Sequence, residues 1–208
     1  MKDVSKATTA YNEIRKRILS NQVVAGARLR EDEWAKKLDV NRAAVREALT
    51  RLLGEQLVVP GEKGGYFVKS FTDENVTEIR ELRKVLELGA LEIAIVKISK
   101  EDLDELSKIC DEFTAMVERG YYGGALEADM KFHETLIAAS GNQKIAGIYH
   151  SSNIPLFHQK LGKIKSHLDD YLLTDQEHRE ILAAIRNADL EKAREALSRH
   201  LMRGEVYL

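Results

Sequence analysis

From residue 71 to residue 208 no run alternates apolar and polar side chains as a half-buried strand would, and one proline, Pro155, interrupts the sequence. A stretch of that length with helical periodicity throughout folds as helices packed on helices, so the C-terminal two-thirds reads as an all-α antiparallel bundle. Ile79, Leu82, Leu86 and Ile93 predict the buried stripe of a first helix, with Gly89 placed for close packing. "SKEDLDELSKICDEFTAMVERG" predicts a second, with Ser99 and Asp102 at capping spacing and Gly120 at its end. "ALEADMKFHETLIAASGN" gives a third, closed by Gly141-Asn142, and "QKIAGIYHSSNIPLFHQKLGK" continues helically with a kink at Pro155. The last segment reads as a helical hairpin, opened by a Thr174/Glu177 capping box and turned at "NAD".

The first seventy residues read differently. "TTAYNEIRKRILSN" and "EDEWAKKL" are helices, and "DVNRAAVREALTRLLGEQ" is a third, with Asn41 as its N-cap and Val45, Leu49 and Leu52 as its buried side. Two β-rich triplets, Leu57–Val59 and Tyr66–Val68, flank a Pro/Gly loop as a hairpin would. Two short helices joined by "DVN" and followed by a hairpin make a winged helix-turn-helix. The fold class is therefore mainly α, with domains at residues 1–70 and 71–208.

Charge divides at the same place. Residues 1–70 hold 14 Lys+Arg against 9 Asp+Glu; of the totals of 32 and 34, that leaves 18 against 25 for the remainder. A basic first third points to a polyanion, and a winged helix to double-stranded DNA. The third helix would lead with its N-terminal end into the major groove. Asn41 caps that end, Arg42 and Arg46 share a face four residues apart, Ala43 and Ala44 allow close approach, and Ala44 is placed for a thymine methyl. Lys63, Gly64 and Gly65 at the wing tip would lie against the backbone or minor groove. The plainer reading of the arginine pair is a solvated helix face; position, charge and the hairpin together favour DNA.

The N-terminus has no apolar core of the signal-peptide kind, and the most apolar run, "LGALEIAIVKI", carries two charges and is too short for a bilayer. A lone Cys110 suits a reduced compartment. A cytoplasmic, non-membrane protein is expected.

"EADMKFHETLI" sets Asp129 and His133 one helical turn apart. It begins an HExxH match that Ile137 breaks. His178 and His200 stand roughly 15 and 18 Å from the hairpin turn, near one height on antiparallel helices. An Asp and three His could thus form a metal set, or remain ordinary buried and surface side chains; spacing leaves both open.

These segments carry a resemblance. "GARLREDEWAKKLDVNRAAVREALTRLLGEQLV" with "GGYFV" resembles the winged helix of the GntR family of bacterial transcription regulators. "ELRKVLE", "DMKFHETLIAASGN" and "EHREILAAIRNADLEKAREALSRHL" resemble the FCD ligand-binding domain of its FadR subgroup. The resemblance implies a divalent metal on Asp129, His133, His178 and His200, zinc first, with nickel, manganese or iron as alternatives. It implies a small organic acid beside that metal, faced by Arg83, whose other reading is a surface salt bridge to Glu87. Asn153 is a further candidate for the effector pocket. The expected protein is a homodimeric, operator-binding regulator, a repressor, controlled by a small carboxylate. A metal-dependent hydrolase and a regulator sensing the metal itself are the alternatives. Outside the broken HExxH there is no catalytic motif, so no enzyme is expected.

Overall fold

The computed structural model describes residues 5–70, 72–154 and 167–202. The chain divides into two compact units, Met1–Asp73 and Glu74–Leu208.

In the first unit, α1 (Lys6–Leu19) starts at Ser5, whose side chain accepts from the Thr8 amide. β1 (Arg28–Leu29), α2 (Glu31–Leu38), α3 (Arg42–Gly54), β2 (Val58–Pro60) and β3 (Tyr66–Val68) follow. α2 stops where Asp39 turns left-handed, φ 52°, and Asn41 starts α3 by accepting from the Ala44 amide at 2.8 Å. The two helices thus meet at a tight turn, as the sequence predicts. Ile14 and Ile18 of α1 and Val45, Leu49 and Leu52 of α3 are fully buried or nearly so. The three strands form an antiparallel sheet in the order β1-β3-β2. β1 was not anticipated, because two residues are too few to show a period; pairing of Arg28 with Phe67 and Leu29 with Tyr66 creates it.

The second unit contains α4 (Asp73–Lys97), α5 (Lys100–Glu118), α6 (Tyr122–Ala139), α7 (Gln143–Ser151), α8 (His167–Arg186) and α9 (Leu190–Met202). Ser99 and Asp102 form the reciprocal capping box that their spacing predicts. α5 packs against α6 and α8, and α8 against α9. The core they share with α4 includes Leu91, Leu106, Ile109, Phe113, Phe132, Leu136, Ile181 and Leu197.

Three expectations need correction. The buried side of α4 is Val76, Glu87, Ala90, Leu91 and Ala94, not the Ile79, Leu82, Leu86, Ile93 stripe, and Leu82 is 38% exposed. The helix turns inward the face carrying Glu87, which a hydropathy pattern assigns to solvent. Nothing packs within 4 Å of where a Gly89 Cβ would stand, so close packing does not explain that glycine. Thr174 and Glu177 open no helix: α8 is already running at His167, Thr174 donates to the Asp170 carbonyl, and both side chains are buried. α7 ends at Ser151; Pro155 and its expected kink lie outside the described residues.

Candidate metal centre and nucleic-acid interface

Asp129 and His133 project from one face of α6, His178 from α8 and His200 from α9. All four are buried, and one ligand atom from each lies within 4.8 Å of the others. The hairpin of α8 and α9 turns at residues 187–189, with Ala188 left-handed at φ 51°. It sets His178 and His200 side by side, ring centroids 4.8 Å apart. The ring of His178 is further fixed by stacking on Phe132 at 4.1 Å.

Two carboxylates hold the outer edges of two of these rings. Glu87 Oε2 lies 2.6 Å from His133 Nδ1, and Glu177 Oε2 lies 2.8 Å from His200 Nδ1. A neutral imidazole that donates through Nδ1 keeps a lone pair on Nε2. The Nε2 atoms of His133 and His200 are 3.1 Å apart. With both rings neutral, two lone pairs would face each other, an arrangement that requires a proton or a cation between them. His178 Nε2 is 3.1 Å from Asp129 Oδ1, yet it makes no hydrogen bond. Bonds of about 2.1 Å to a common ion place neighbouring ligand atoms about 3.0–3.4 Å apart, so these two separations suit a first-row divalent ion, and His133 Nε2 to Asp129 Oδ1, at 3.7 Å, would close slightly around it. Carboxylates behind metal-bound histidines orient the rings and raise their basicity.

Electrostatics agree. Burial lowers the pKa of His178, and it lowers that of His200 well below the ordinary value, with the neighbouring histidines adding to the effect at His200. Burial and Arg83 push His133 down too, but Glu87 and Asp129 outweigh them and its pKa is raised. Against its own burial, Glu87 is held down to about 2 by Arg83 and His133.

Arg83 is no surface residue. Its Nε donates to Glu87 Oε1 at 2.5 Å, so the ion pair to Glu87 exists, but inside the bundle. Its Nη2 is buried without a hydrogen-bond partner. Tyr149 of α7 donates to the same carboxylate oxygen at 3.0 Å. Asn153, the other effector candidate, stands in the left-handed turn after α7 at φ 49°. Four residues earlier, Tyr149 reaches the centre through Glu87. Glu87, Glu177 and Tyr149 were all missed as site residues. Glu87 carried a signal, four residues after Arg83 on one helical face; the other two carried none.

In the first unit, Asn41, Arg42, Ala43 and Arg46 are exposed along the start of α3. Ala44 is not: it is 7% exposed and faces the core, so it cannot meet a thymine methyl, and Ala43 is the small residue left outside. Arg46 is gripped by Glu31 of α2, Nε to Oε1 at 2.9 Å and Nη2 to Oε2 at 2.8 Å, with Arg42 Nη2 3.7 Å from the same carboxylate. Lys63, Gly64 and Gly65 form the exposed turn between β2 and β3. Gly64 and Gly65 adopt φ 82° and 87°, a conformation L side chains rarely take.

Cys110 is buried and its thiol is pushed up to about 11 by that burial, so it is inert. His150 is exposed on α7; His158 lies outside the described residues. No helix among the described residues is long and apolar enough to cross a membrane.

Comparison with known proteins places both units. Residues 6–68 match the bacterial regulatory proteins of the gntR family, and residues 78–203 match the FCD domain. The chain is 28% identical over 192 residues to the uncharacterized HTH-type transcriptional regulator YdhC of Bacillus subtilis (strain 168), covering 91% of this chain and 85% of that protein. It is 34% identical over 155 residues to the gluconate operon transcriptional repressor of the same organism, covering 71% and 62%. Escherichia coli McbR/YncC shares the fold, with a TM-score of 0.84 at 21% identity over 98% of this chain and 97% of that one.

Proposed function

The chain belongs to the gntR family of bacterial regulatory proteins and carries an FCD domain, and on that premise we propose that it is an operator-binding repressor controlled by a small carboxylate held beside a divalent metal. It is a DNA-binding transcription regulator and not an enzyme; its matched relatives are regulators. Residues 1–70 are the DNA-binding domain in this proposal, and residues 71–208 the metal-binding, effector-binding and dimerising one.

One observation carries the effector reading. Arg83 Nη2 is a buried donor without a partner, and its guanidinium sits on the Glu87 carboxylate that also holds His133. A buried, unsatisfied donor of that kind is costly unless a ligand completes it, and a carboxylate is its natural complement. Asp129, His133, His178 and His200 would hold the ion, with zinc the first candidate and nickel, manganese and iron the alternatives. The ion supplies a Lewis acid with open positions for a carboxylate. Glu87 links the two parts, one oxygen on Arg83 and the other on His133. A relative named as a gluconate operon repressor is consistent with both repression and a carboxylate effector.

The dimer reading rests on α4, where Leu82, Val85 and Val96 are 38%, 71% and 84% exposed. A second copy of the chain would cover them, and a two-fold dimer would set two α3 helices on successive major-groove faces. A protein that works on an operator would act in the cytoplasm.

The test is titration of operator binding by the zinc-loaded protein with a panel of small mono- and dicarboxylates. Affinity falls with at least one acid, and Arg83→Ala abolishes that response. Release of the ion-free protein by added zinc alone, with no effect of any acid on the zinc-loaded form, would instead favour the metal as the sensed signal.

A further inference from the structure

We infer that Glu31 is a specificity-determining residue: it grips one edge of the Arg46 guanidinium so that the opposite edge is presented to a guanine. This rests on α3 being the DNA-reading helix, and the test below separates the two claims.

A guanidinium has two edges that each offer a pair of N–H groups, the side edge of Nε and Nη2 and the end edge of Nη1 and Nη2. Glu31 takes the side edge with both oxygens. The end edge is left, and its two parallel donors match guanine O6 and N7. Position fits this division. The Glu31 side chain is 18% exposed where Arg46 is 62% exposed, so the carboxylate lies beneath and the guanidinium outside it.

The grip acts through order as well as direction. A free arginine on a surface samples many rotamers, and fixing it on DNA costs that entropy. Pinned at two atoms, Arg46 meets the groove already aimed. The same carboxylate lies 3.7 Å from Arg42 Nη2, so it also removes one positive charge from a pair that would otherwise bind any phosphate. Glu31 therefore lowers sequence-blind attraction while raising base discrimination. The Glu31 carboxyl is held below its usual range, chiefly by its bond to Arg46, and stays ionised. An exposed ion pair contributes little to folding, so a substitution here leaves the unit intact.

The experiment begins with duplexes selected from a random library by the full-length protein. Anisotropy titrations then compare the wild type, Glu31→Gln, Arg46→Ala and the double variant. Each is measured on the selected duplex, on duplexes with single G·C pairs replaced, and on a random duplex, with thermal melts as the check on folding. Glutamine keeps the size but turns an NH2 group toward the arginine, which breaks the two-point grip. Glu31→Gln is expected to lose about tenfold discrimination at one G·C pair while holding or gaining affinity for the random duplex. Arg46→Ala should lose the same discrimination, and the double variant no more than either. Undiminished discrimination in Glu31→Gln, with Arg46→Ala still defective, overturns the role given to Glu31 and leaves the reading helix standing. Failure of the wild type to enrich any sequence overturns both.

Discussion

The arginines of α3 and the histidines of the helical unit are both clusters of groups that repel one another when charged, and the chain holds them in opposite ways. Arg42 and Arg46 sit in solvent, four residues apart on one helix, restrained by a single carboxylate. Water screens their repulsion, so the arrangement costs little and needs no distant part of the chain. His133, His178 and His200 come from three helices and are shut away from water. Burial makes every unmatched donor or lone pair expensive, so that cluster is hedged by Glu87 and Glu177 and leaves His178 Nε2 and Arg83 Nη2 unsatisfied. An exposed site is ready for a polyanion that brings its own counter-charge; the buried one, in the proposed function, is completed by a small ion and ligand.

The largest effect that could break this contrast is loss of an ion ligand. His178→Ala should weaken zinc binding by at least about a hundredfold in chelator competition, more than any change behind the ligands. Next come the carboxylates. Glu87→Gln and Glu177→Gln should each lower zinc affinity about ten- to a hundredfold with the fold kept, as read by circular dichroism. Equal affinity in both variants would show that the carboxylates only fill space.

Proton competition sharpens the same point. In the ion-free protein Glu87 and Asp129 raise the pKa of His133, so a proton stays on it to higher pH than on an ordinary histidine. Binding must expel that proton. Zinc affinity should therefore climb about tenfold per pH unit until pH passes the raised His133 value, then level off, with proton release measurable in weakly buffered titrations. On the exposed side the effects shrink. Val85→Glu on α4 should halve the apparent mass in light scattering if a second copy covers that face. Lys63→Ala at the wing should weaken all sequences alike and reduce the salt slope by about one ion.

How legible each region was follows from the same contrast. The winged helix is built from local signals, Asn41 as a cap, the Val45–Leu49–Leu52 stripe, Gly64 and Gly65 in the turn, and nearly all of it could be read in advance. Ala44 misled because smallness marks a close approach to a core as well as to DNA. Asp129 and His133 were visible as an i, i+4 pair, and hairpin arithmetic put His178 and His200 at one height. What spacing could not show was that five helices, α4 and α6 to α9, converge, nor that charged residues would be drawn in with them. Hydropathy assigns Glu87 to solvent, which sets the phase of α4 on the wrong face. Glu177 looked like a cap because capping boxes and buried carboxylates use the same residue types. Hydrophobic periodicity assumes that charge faces water, and it fails where a helix turns a carboxylate inward to hold a histidine.

The most direct test of the central claim is elemental analysis of the full-length protein after dialysis against zinc and removal of excess, set beside His178→Ala treated identically. Asp129, His133, His178 and His200 acting as one site predict one zinc per chain in the wild type and none above background in a folded variant. Wild-type protein without zinc, or a variant that keeps it, would contradict the account.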